Sequence, residues 1–154
     1  MSNEHTVKSY EEELRYLIDS VIKMGSLTET QLVDSMDAVI KVDKDSIDKI
    51  IKSDDEINKF RSKIDTQIMT LLVKRAPMAI DLRETISSLK ISQDLERIGD
   101  LSKSNAKKVK PLPLDLPEEL LGNLKRLGEL VIKQLNDVLA VSYTHLTLPT
   151  ILLV

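Results

Sequence analysis

The 154-residue chain is 42% hydrophobic and 31% charged, has four glycines and five prolines, and carries a formal net charge of −3. This composition is typical of a helical domain large enough to bury a core. Aromatic residues make up 3% of the chain and basic residues are interspersed with acidic ones, which argues against a nucleic-acid-binding surface. The absence of cysteine excludes thiol catalysis, disulfides and thiolate metal sites. Since we find neither a secretory signal nor an apolar run of membrane-spanning length, we expect a soluble, cytoplasmic protein without membrane insertion.

The first predicted helix begins near Ser9, because Ser9 and Glu12 have the spacing of a capping box. Residues 1–8 are accordingly predicted to form a disordered tail. Apolar residues then recur at three- and four-residue steps as far as Val42. One apolar face over about thirty residues predicts a long helix packed against neighbours rather than a strand.

The second predicted helix follows an Asp-Lys-Asp turn, with Asp45 as its cap, and ends before Pro77. Its apolar stripe has heptad spacing but includes two charged residues, Asp54 and Arg61. If the stripe opens to water, the guanidinium group of Arg61 is exposed. If it encloses a polar site, the Asp54 carboxylate lies inside that site with the amide of Asn58, one turn later. The sequence leaves both interpretations open.

The third predicted helix opens at Pro77 and carries an acidic pair, Glu96 and Asp100, one turn apart. Like charges at this spacing destabilise an isolated helix by roughly 0.2–0.5 kcal/mol, and Gly99 between them costs about 1 kcal/mol relative to alanine. Heptad continuation places both carboxylates on the line of the apolar stripe, where a bound cation or a basic partner would compensate them. A solvated helix end screened by Arg97 is the simpler alternative.

A proline-rich linker over residues 111–116 precedes a fourth predicted helix over residues 117–140. This helix repeats part of the first one at a constant offset of 103 residues. The repeat predicts that residues 117–140 begin a second copy of the unit formed by residues 9–110. The identities pair Gly25, Leu27, Gln31, Leu32 and Asp34 with Gly128, Leu130, Gln134, Leu135 and Asp137.

The last stretch, residues 141–154, does not continue the helical pattern. Its segment V-S-Y-T-H-L-T-L-P-T matches the translation of a transposon-end sequencing adaptor, so we interpret residues 141–154 as a non-native tail. Tyr143 and His145 then have no function, and the second copy of the repeat is cut short. A genuine apolar C-terminal strand is the alternative.

Two elements of the predicted third helix resemble the PhoU family of phosphate-uptake regulators. They are Asp81-Leu82-Arg83 and, thirteen residues later, D-L-E-R-I-G-D at residues 94–100. The likeness extends over about residues 9–140, and family members consist of two tandem three-helix bundles. The resemblance therefore implies an all-α fold, in which residues 9–110 form an antiparallel three-helix bundle and residues 117–140 the first helix of an incomplete second bundle.

The resemblance also implies a function. Family members are non-enzymatic, cytoplasmic negative regulators of phosphate uptake and of the phosphate-starvation response. They act as adaptors between the ATPase of a phosphate ABC transporter and a sensor histidine kinase, and we expect the full-length protein to be a homodimer. Neither catalytic residues nor an organic cofactor are expected, and nucleic acid is not an expected partner.

Family members further bind metal clusters through paired acidic residues, which implies divalent or ferric ions of iron, manganese, magnesium or zinc. Here the pairs map onto Glu96 with Asp100 and onto Asp54 with Asn58, and Asp94 is a further candidate ligand. We call the side chains of Asp54, Asn58, Glu96 and Asp100 the acidic seam. Asn58 stands where the family usually has aspartate, and L-S-K-S-N-A follows Asp100 where the family has H-A-x-N-I-A.

A metal-free helical interaction module, whose acidic seam docks a basic partner, is the alternative function. A ferritin-like di-iron oxidase is a third class, but it requires Glu-x-x-His pairs on facing helices. The two histidines of the chain, His5 and His145, both lie near the termini and outside the predicted helices. The sequence therefore argues against the oxidase.

Overall fold

The computed structural model describes residues 2–75, 77 and 80–147. Four α-helices make up nearly all of these residues, and this part of the chain contains no strand. The prediction of an all-α fold is confirmed. None of these helices has both the length and the apolar character needed to span a membrane. The helices are α1 (Ser2–Lys41), α2 (Ile47–Arg75), α3 (Ile80–Lys108) and α4 (Glu118–Thr147).

The first helix is the centre of the structure, because α1 packs against each of the other three helices. The helices α2 and α3 also pack against each other, so α1, α2 and α3 form a three-helix bundle. Short connections between consecutive helices make neighbours antiparallel. Within the described residues α4 packs against α1 alone, which gives the predicted bundle with one additional helix.

Two hydrophobic clusters stabilise this arrangement. The predicted apolar stripe of α2 is buried, since six of its isoleucine and leucine side chains are no more than 2% exposed. The larger cluster joins four of these side chains to the apolar face of α1 and to Leu95, Leu135 and Leu139 of the other helices. The smaller cluster closes the end of the bundle near the α1–α2 turn. It contains Ala38, Val42, Ile47, Ile50, Ala106 and Val109.

The outer side of α4 remains apolar and exposed. Leu127 is 58% exposed and Val138 is 62% exposed, whereas Leu135 and Leu139 on the opposite side are at most 9% exposed against α1. The helix therefore has two apolar faces, of which α1 covers one. The exposed apolar residues of α4 are Leu120, Leu127, Leu130, Val131, Val138 and Val141.

Two predicted helix ends are wrong. The helix α1 begins at Ser2, so the predicted disordered tail over residues 1–8 is helical from Ser2 onward, and residue 1 lies outside the described residues. A capping-box pair has the right residue types at the right spacing, but it does not by itself begin a helix. Ser9 instead accepts a hydrogen bond from Nη2 of Arg75 at 2.7 Å and so connects α1 to α2.

The helix α4 also extends further than predicted. It continues through Thr147 instead of ending near Ala140, since residues 141–147 contain neither proline nor glycine. The rest of the predicted non-native tail, residues 148–154, lies outside the described residues. The origin of residues 141–154 stays a prediction.

The turn between α1 and α2 corrects the predicted cap. Val42 has a φ of 50° in the left-handed region, and the N–H of Asp43 donates to the carbonyl of Ala38 at 2.9 Å, as at many helix ends. Asp43, rather than Asp45, caps α2, because its Oδ1 accepts hydrogen bonds from the N–H groups of Asp45 and Ser46 at 3.0 and 3.3 Å. The Ser46 hydroxyl and these N–H groups lower the pKa of Asp43.

Candidate cation site

Asp54 is the buried acid at the centre of the acidic seam, and its side chain is 2% exposed. Its Oδ1 accepts a hydrogen bond from Nε2 of Gln31 at 3.4 Å, and its Oδ2 accepts one from Nδ2 of Asn58 at 3.2 Å. The ammonium group of Lys103 also donates to Oδ2. A buried carboxylate without a counter-charge costs several kcal/mol, so these donors, Lys103 above all, explain how Asp54 is accommodated. Of the two interpretations of Asp54, the structure supports the enclosed polar site.

Lys103 bridges two acids that lie on different helices. Its Nζ donates to Oδ1 of Asp100 at 2.8 Å as well as to Asp54. The hydrogen bonds from Lys103 to Asp100 and to Asp54 raise its pKa, so the amine is protonated at neutral pH. Two of the predicted ligands, Asp54 and Asp100, thus contact one ammonium group, and a third, Asn58, donates to the same oxygen of Asp54.

A second cationic side chain, Arg61, forms an ion pair with the carboxylate of Glu96. Nε of Arg61 lies 3.3 Å from Oε2 of Glu96, close enough for an ion pair although not aligned as a hydrogen bond, and Nη1 donates to Oδ1 of Asp65. The Arg61 side chain is only 13% exposed, so the interpretation that its guanidinium group lies in water is wrong. Paired with two acids, it lies at the interface between α2 and α3.

The acidic pair of α3 lies beside the packed face rather than on it. The Glu96 and Asp100 side chains are 39% and 56% exposed, so their predicted place on a packing stripe is wrong. Apart from Leu95, the buried face of α3 consists of small residues. The hydroxyl groups of Thr85, Ser92 and Ser102 donate to carbonyls of their own helix, as Ser102 does to Ile98 at 2.8 Å. Small side chains allow α1 to approach closely, and the hydrophobic pattern does not reveal them. They include Thr85, Ser88, Ser92, Gly99, Ser102 and Ala106.

Gly99 has a packing role in this interface. A Cβ atom at residue 99 would lie 3.1 Å from Oε1 of Gln31 and 3.2 Å from Cδ1 of Ile57, which is tighter than ordinary contact. The glycine therefore allows α3 to lie against α1 and α2 at the level of the acidic seam. Oε1 of Gln31 itself is buried and accepts no hydrogen bond.

Asp94 does not join the other candidate ligands. It is exposed and stands two residues before Glu96, a spacing that points two helical side chains in different directions. In the described part of the chain, no three histidine, cysteine, aspartate or glutamate side chains are grouped so that they could hold a metal ion. A multi-carboxylate metal cluster thus has no preformed geometry there.

The polar groups around Asp54 nevertheless fit a single hard cation. Two carboxylates, Asp54 and Asp100, supply oxygen atoms, which magnesium, calcium and manganese prefer, whereas Asn58 directs its NH2 group to Asp54. The orphaned Oε1 of Gln31 is a further buried acceptor beside them. In the structure the ammonium group of Lys103 supplies the positive charge at this position.

Sequence reasoning missed two residues of the site, Lys103 and Gln31. Lys103 stands three residues after Asp100 and seven after Glu96, so all three share a helix face, and this spacing is the signal that could have found it. Gln31 is a polar residue on the buried face of α1, and it is one of the positions that the internal repeat retains as Gln134. Neither signal identifies a contact without the packing of the helices.

A further polar group lies at the opposite end of the bundle. Burial, together with the nearby carboxylates of Asp81 and Glu84, raises the pKa of Tyr10 to about 12. Burial and Asp81 also raise the pKa of Glu84. Asp81 belongs to the Asp-Leu-Arg element of the sequence, so that element lies against α1 and apart from the acidic seam.

Comparison with known proteins agrees with these features. The family model described as PhoU domain matches residues 21–109. Each of the following relatives is named as a phosphate-specific transport system accessory protein PhoU homolog. The relative from Rhizobium meliloti is 37% identical over 142 residues, which cover 92% of this chain and 60% of the relative. That from Caulobacter vibrioides is 38% identical over 137 residues, 88% of this chain and 60% of the relative.

The relative from Clostridium acetobutylicum is 33% identical over 133 residues, 86% of this chain and 61% of the relative. The chain therefore spans about 60% of the length of the curated relatives it matches. No solved structure matches it. The matched segment begins within α1, includes all of α2 and α3, and ends directly after α3, so it contains the whole acidic seam. On this evidence the chain belongs to the PhoU domain family.

Proposed function

We propose that the chain is a non-enzymatic accessory protein of phosphate transport, which restrains phosphate uptake and the phosphate-starvation response from the cytoplasm. In this proposal it is an adaptor between the ATPase of a phosphate ABC transporter and a sensor histidine kinase. It associates as a homodimer when the protein has the length of its relatives. The relatives' names, as accessory proteins of a phosphate-specific transport system, support the first part.

The observation that carries the proposal is the buried carboxylate of Asp54 facing Asp100 across the α2–α3 interface. A binding surface that responds to metal needs oxygen ligands on two elements, and Asp54 on α2 and Asp100 on α3 meet this requirement. Asn58 would add its amide oxygen once the amide, whose NH2 group now donates to Asp54, turns over. A divalent or ferric ion held by them would supply a positive charge that joins α2 to α3. Glu96 contributes once it leaves Arg61, whereas Asp94 has no part in the site.

The test combines partner capture with metal titration. The chain is used to pull down the ATPase and the kinase, and its thermal unfolding temperature is followed while Mn²⁺, Mg²⁺ or iron is added. We expect both partners to be captured and the unfolding temperature to rise with metal. In a variant with Glu96→Ala and Asp100→Ala the rise should be lost.

The matched control replaces the exposed pair Glu118 and Glu119 on α4 with alanine. It removes two negative charges, as the first variant does, but at a place distant from the seam. This variant should respond to metal as the unaltered chain does. Failure to capture either partner contradicts the adaptor role. An unfolding temperature that is unaffected by each metal contradicts the metal-binding part alone.

The alternative function, a metal-free module that docks a basic partner, is favoured by one specific observation. The acidic seam already holds a basic side chain, the ammonium group of Lys103, and so is suited to a partner's lysine or arginine. Partner capture would then persist in the presence of a chelator and weaken with salt, because exposed ion pairs are screened. Capture that requires metal contradicts this alternative.

A further inference from the structure

We propose that Lys103 is a built-in competitor for the acidic seam, so that a divalent cation binds Asp54 only when the ammonium group of Lys103 leaves it. The inference rests on the metal-binding part of the proposed function and adds the residue that regulates it. Its geometric basis is that one ammonium group contacts both carboxylates that a metal ion would use, Asp54 and Asp100.

The two cations exclude each other for reasons of space and charge. Oδ2 of Asp54 already accepts hydrogen bonds from Lys103 and Asn58, and Oδ1 accepts one from Gln31, so a metal ion that joins Asp54 to Asp100 needs the position that the ammonium group occupies. A divalent ion bound to Asp54 and Asp100 would lie beside the ammonium group and repel it strongly in this partly buried setting. The seam therefore holds one of the two cations at a time.

Lys103 is able to leave without disturbing the bundle. Its side chain is 23% exposed, and lysine carries its charge on a flexible four-carbon stem. Rotation of that stem moves the ammonium group into water while the backbone of α3 stays in place. Asp100, whose side chain is 56% exposed, remains available to the incoming ion.

A lysine that competes from within the same molecule weakens the binding of a free metal ion. Because Lys103 is part of the same molecule, its local concentration at Asp54 is high, on the order of millimolar or above, and does not fall on dilution. The chain should therefore bind metal weakly and respond only when the free metal concentration is high. The lysine thus sets the threshold of the response, and the carboxylates provide the site.

The decisive comparison is between Lys103→Met and Lys107→Met in the full chain. Lys107 lies one turn further along α3 and is exposed, so its replacement changes the net charge equally without touching Asp54. Binding of Mn²⁺ is measured by electron paramagnetic resonance. We expect the affinity of Lys103→Met to rise about tenfold or more above that of the unaltered chain, within the range by which groups around a ligand set alter metal affinity. The affinity of Lys107→Met should stay close to that of the unaltered chain.

Equal affinities in both variants, or no binding by a folded Lys103→Met, would overturn the proposal.

A second measurement uses the unaltered chain, in case Lys103→Met fails to fold with Asp54 left unpaired. Nuclear magnetic resonance of the lysine ammonium groups follows Lys103 while Mg²⁺ is added. We expect the Lys103 signal to move to the position of a solvated lysine as the metal binds, while the Lys107 signal stays unchanged. Metal binding that leaves the Lys103 signal unmoved contradicts the proposal. So does the absence of metal binding at high Mg²⁺ concentration.

The outcome is separable from the fate of the adaptor function. If the pull-down succeeds but Mn²⁺ binding is unchanged by Lys103→Met, the adaptor stands and the competition is wrong. If Lys103→Met binds Mn²⁺ more tightly but neither partner is captured, the competition stands and the adaptor is wrong.

Discussion

The carboxylate of Asp54 on α2 and the ammonium group of Lys103 on α3 form an ion pair across the α2–α3 interface, with Asp54 almost wholly buried and Lys103 partly exposed. The pair joins residues that are 49 positions apart in the chain. Its two members differ in what they lose when the partner is removed. Lys103 can turn to water, whereas Asp54 cannot.

Removing the buried acid should destabilise the fold measurably. In Asp54→Ala the amide of Asn58 loses its acceptor and the amide of Gln31 keeps only the carbonyl of Ile50, so we expect the free energy of unfolding to fall by about 1–3 kcal/mol. Urea denaturation measures the change. The exposed neighbour Asp55 is the control, and Asp55→Ala should change the free energy by no more than about 0.5 kcal/mol. Equal effects in both variants would contradict a special role for Asp54.

Replacing Gly99 with alanine should lower the stability of the fold, whereas replacing Gly122 with alanine should raise it. At Gly99 the new Cβ meets Gln31 and Ile57 at 3.1 and 3.2 Å, so overpacking should cost about 1–3 kcal/mol and outweigh the helix-propensity gain of about 1 kcal/mol. At Gly122, which is exposed, nothing lies within 4 Å of the new Cβ, and the propensity gain should appear in full. The measurement is the thermal unfolding temperature, which we expect to fall in Gly99→Ala and rise in Gly122→Ala. A rise in both variants would show that the interface tolerates the methyl group.

The attachment of α4 to α1 depends on its inner face. Leu135 is 9% exposed in the larger hydrophobic cluster, and Leu135→Ala should lower the free energy of unfolding by about 2–3 kcal/mol. Leu127, 58% exposed on the outer face of the same helix, is the matched control. Hydrogen exchange of the α4 amides should accelerate in Leu135→Ala and remain unchanged in Leu127→Ala. The reverse order would mean that α4 packs through its other face.

Alkaline pH should destabilise the fold through Tyr10. Burial and the carboxylates of Asp81 and Glu84 raise the pKa of Tyr10 from 10.0 to about 12, so the folded state holds the phenolic proton that the unfolded chain loses. Stability that is fully present below pH 10 is therefore lost as the pH rises towards about 12. Urea midpoints across this range should fall less steeply in Tyr10→Phe.

Tyr16 provides the control for that series. Lys63 lowers the pKa of Tyr16 through a hydrogen bond and its charge, and Tyr16 is 53% exposed. Tyr16→Phe should therefore leave the alkaline decline in stability in place. If this variant abolishes the decline and Tyr10→Phe does not, the assignment to Tyr10 is wrong.

The predictability of the fold differs between α2 and α3. The stripe of α2 could be read from the sequence because its buried residues are isoleucine and leucine, with Asp54 as the informative exception. The buried face of α3 includes small residues such as Ser88, Ser92 and Gly99. They are buried because their small size allows close helix packing, but a search for hydrophobic residues does not find them. Heptad counting on α3 therefore followed the larger apolar side chains and placed Glu96 and Asp100 on the packed face, although they lie at its edge.

The candidate site was predictable as a set of acids but not as a set of contacts. Asp54, Asn58 and Asp100 were identified from spacing and resemblance, and they do converge. Which basic residue neutralises them depends on the rotation of α3 against α2. Several lysines and arginines on these helices were equally eligible by composition, and Lys103 is selected only by the packed geometry.

The packing of α1 links the acidic seam to the far side of the molecule. Met36 of α1 lies so close to α4 that a Cβ atom at Gly128 would be 2.6 Å from its Cε, while Gln31, five residues earlier on α1, contacts Asp54 and faces Gly99. One helix thus contacts both the seam and α4, with little free space at either contact. If a ligand bound at the seam shifts α1 and so changes the affinity of α4 for a second molecule, that second molecule must change the affinity of the seam by the same factor.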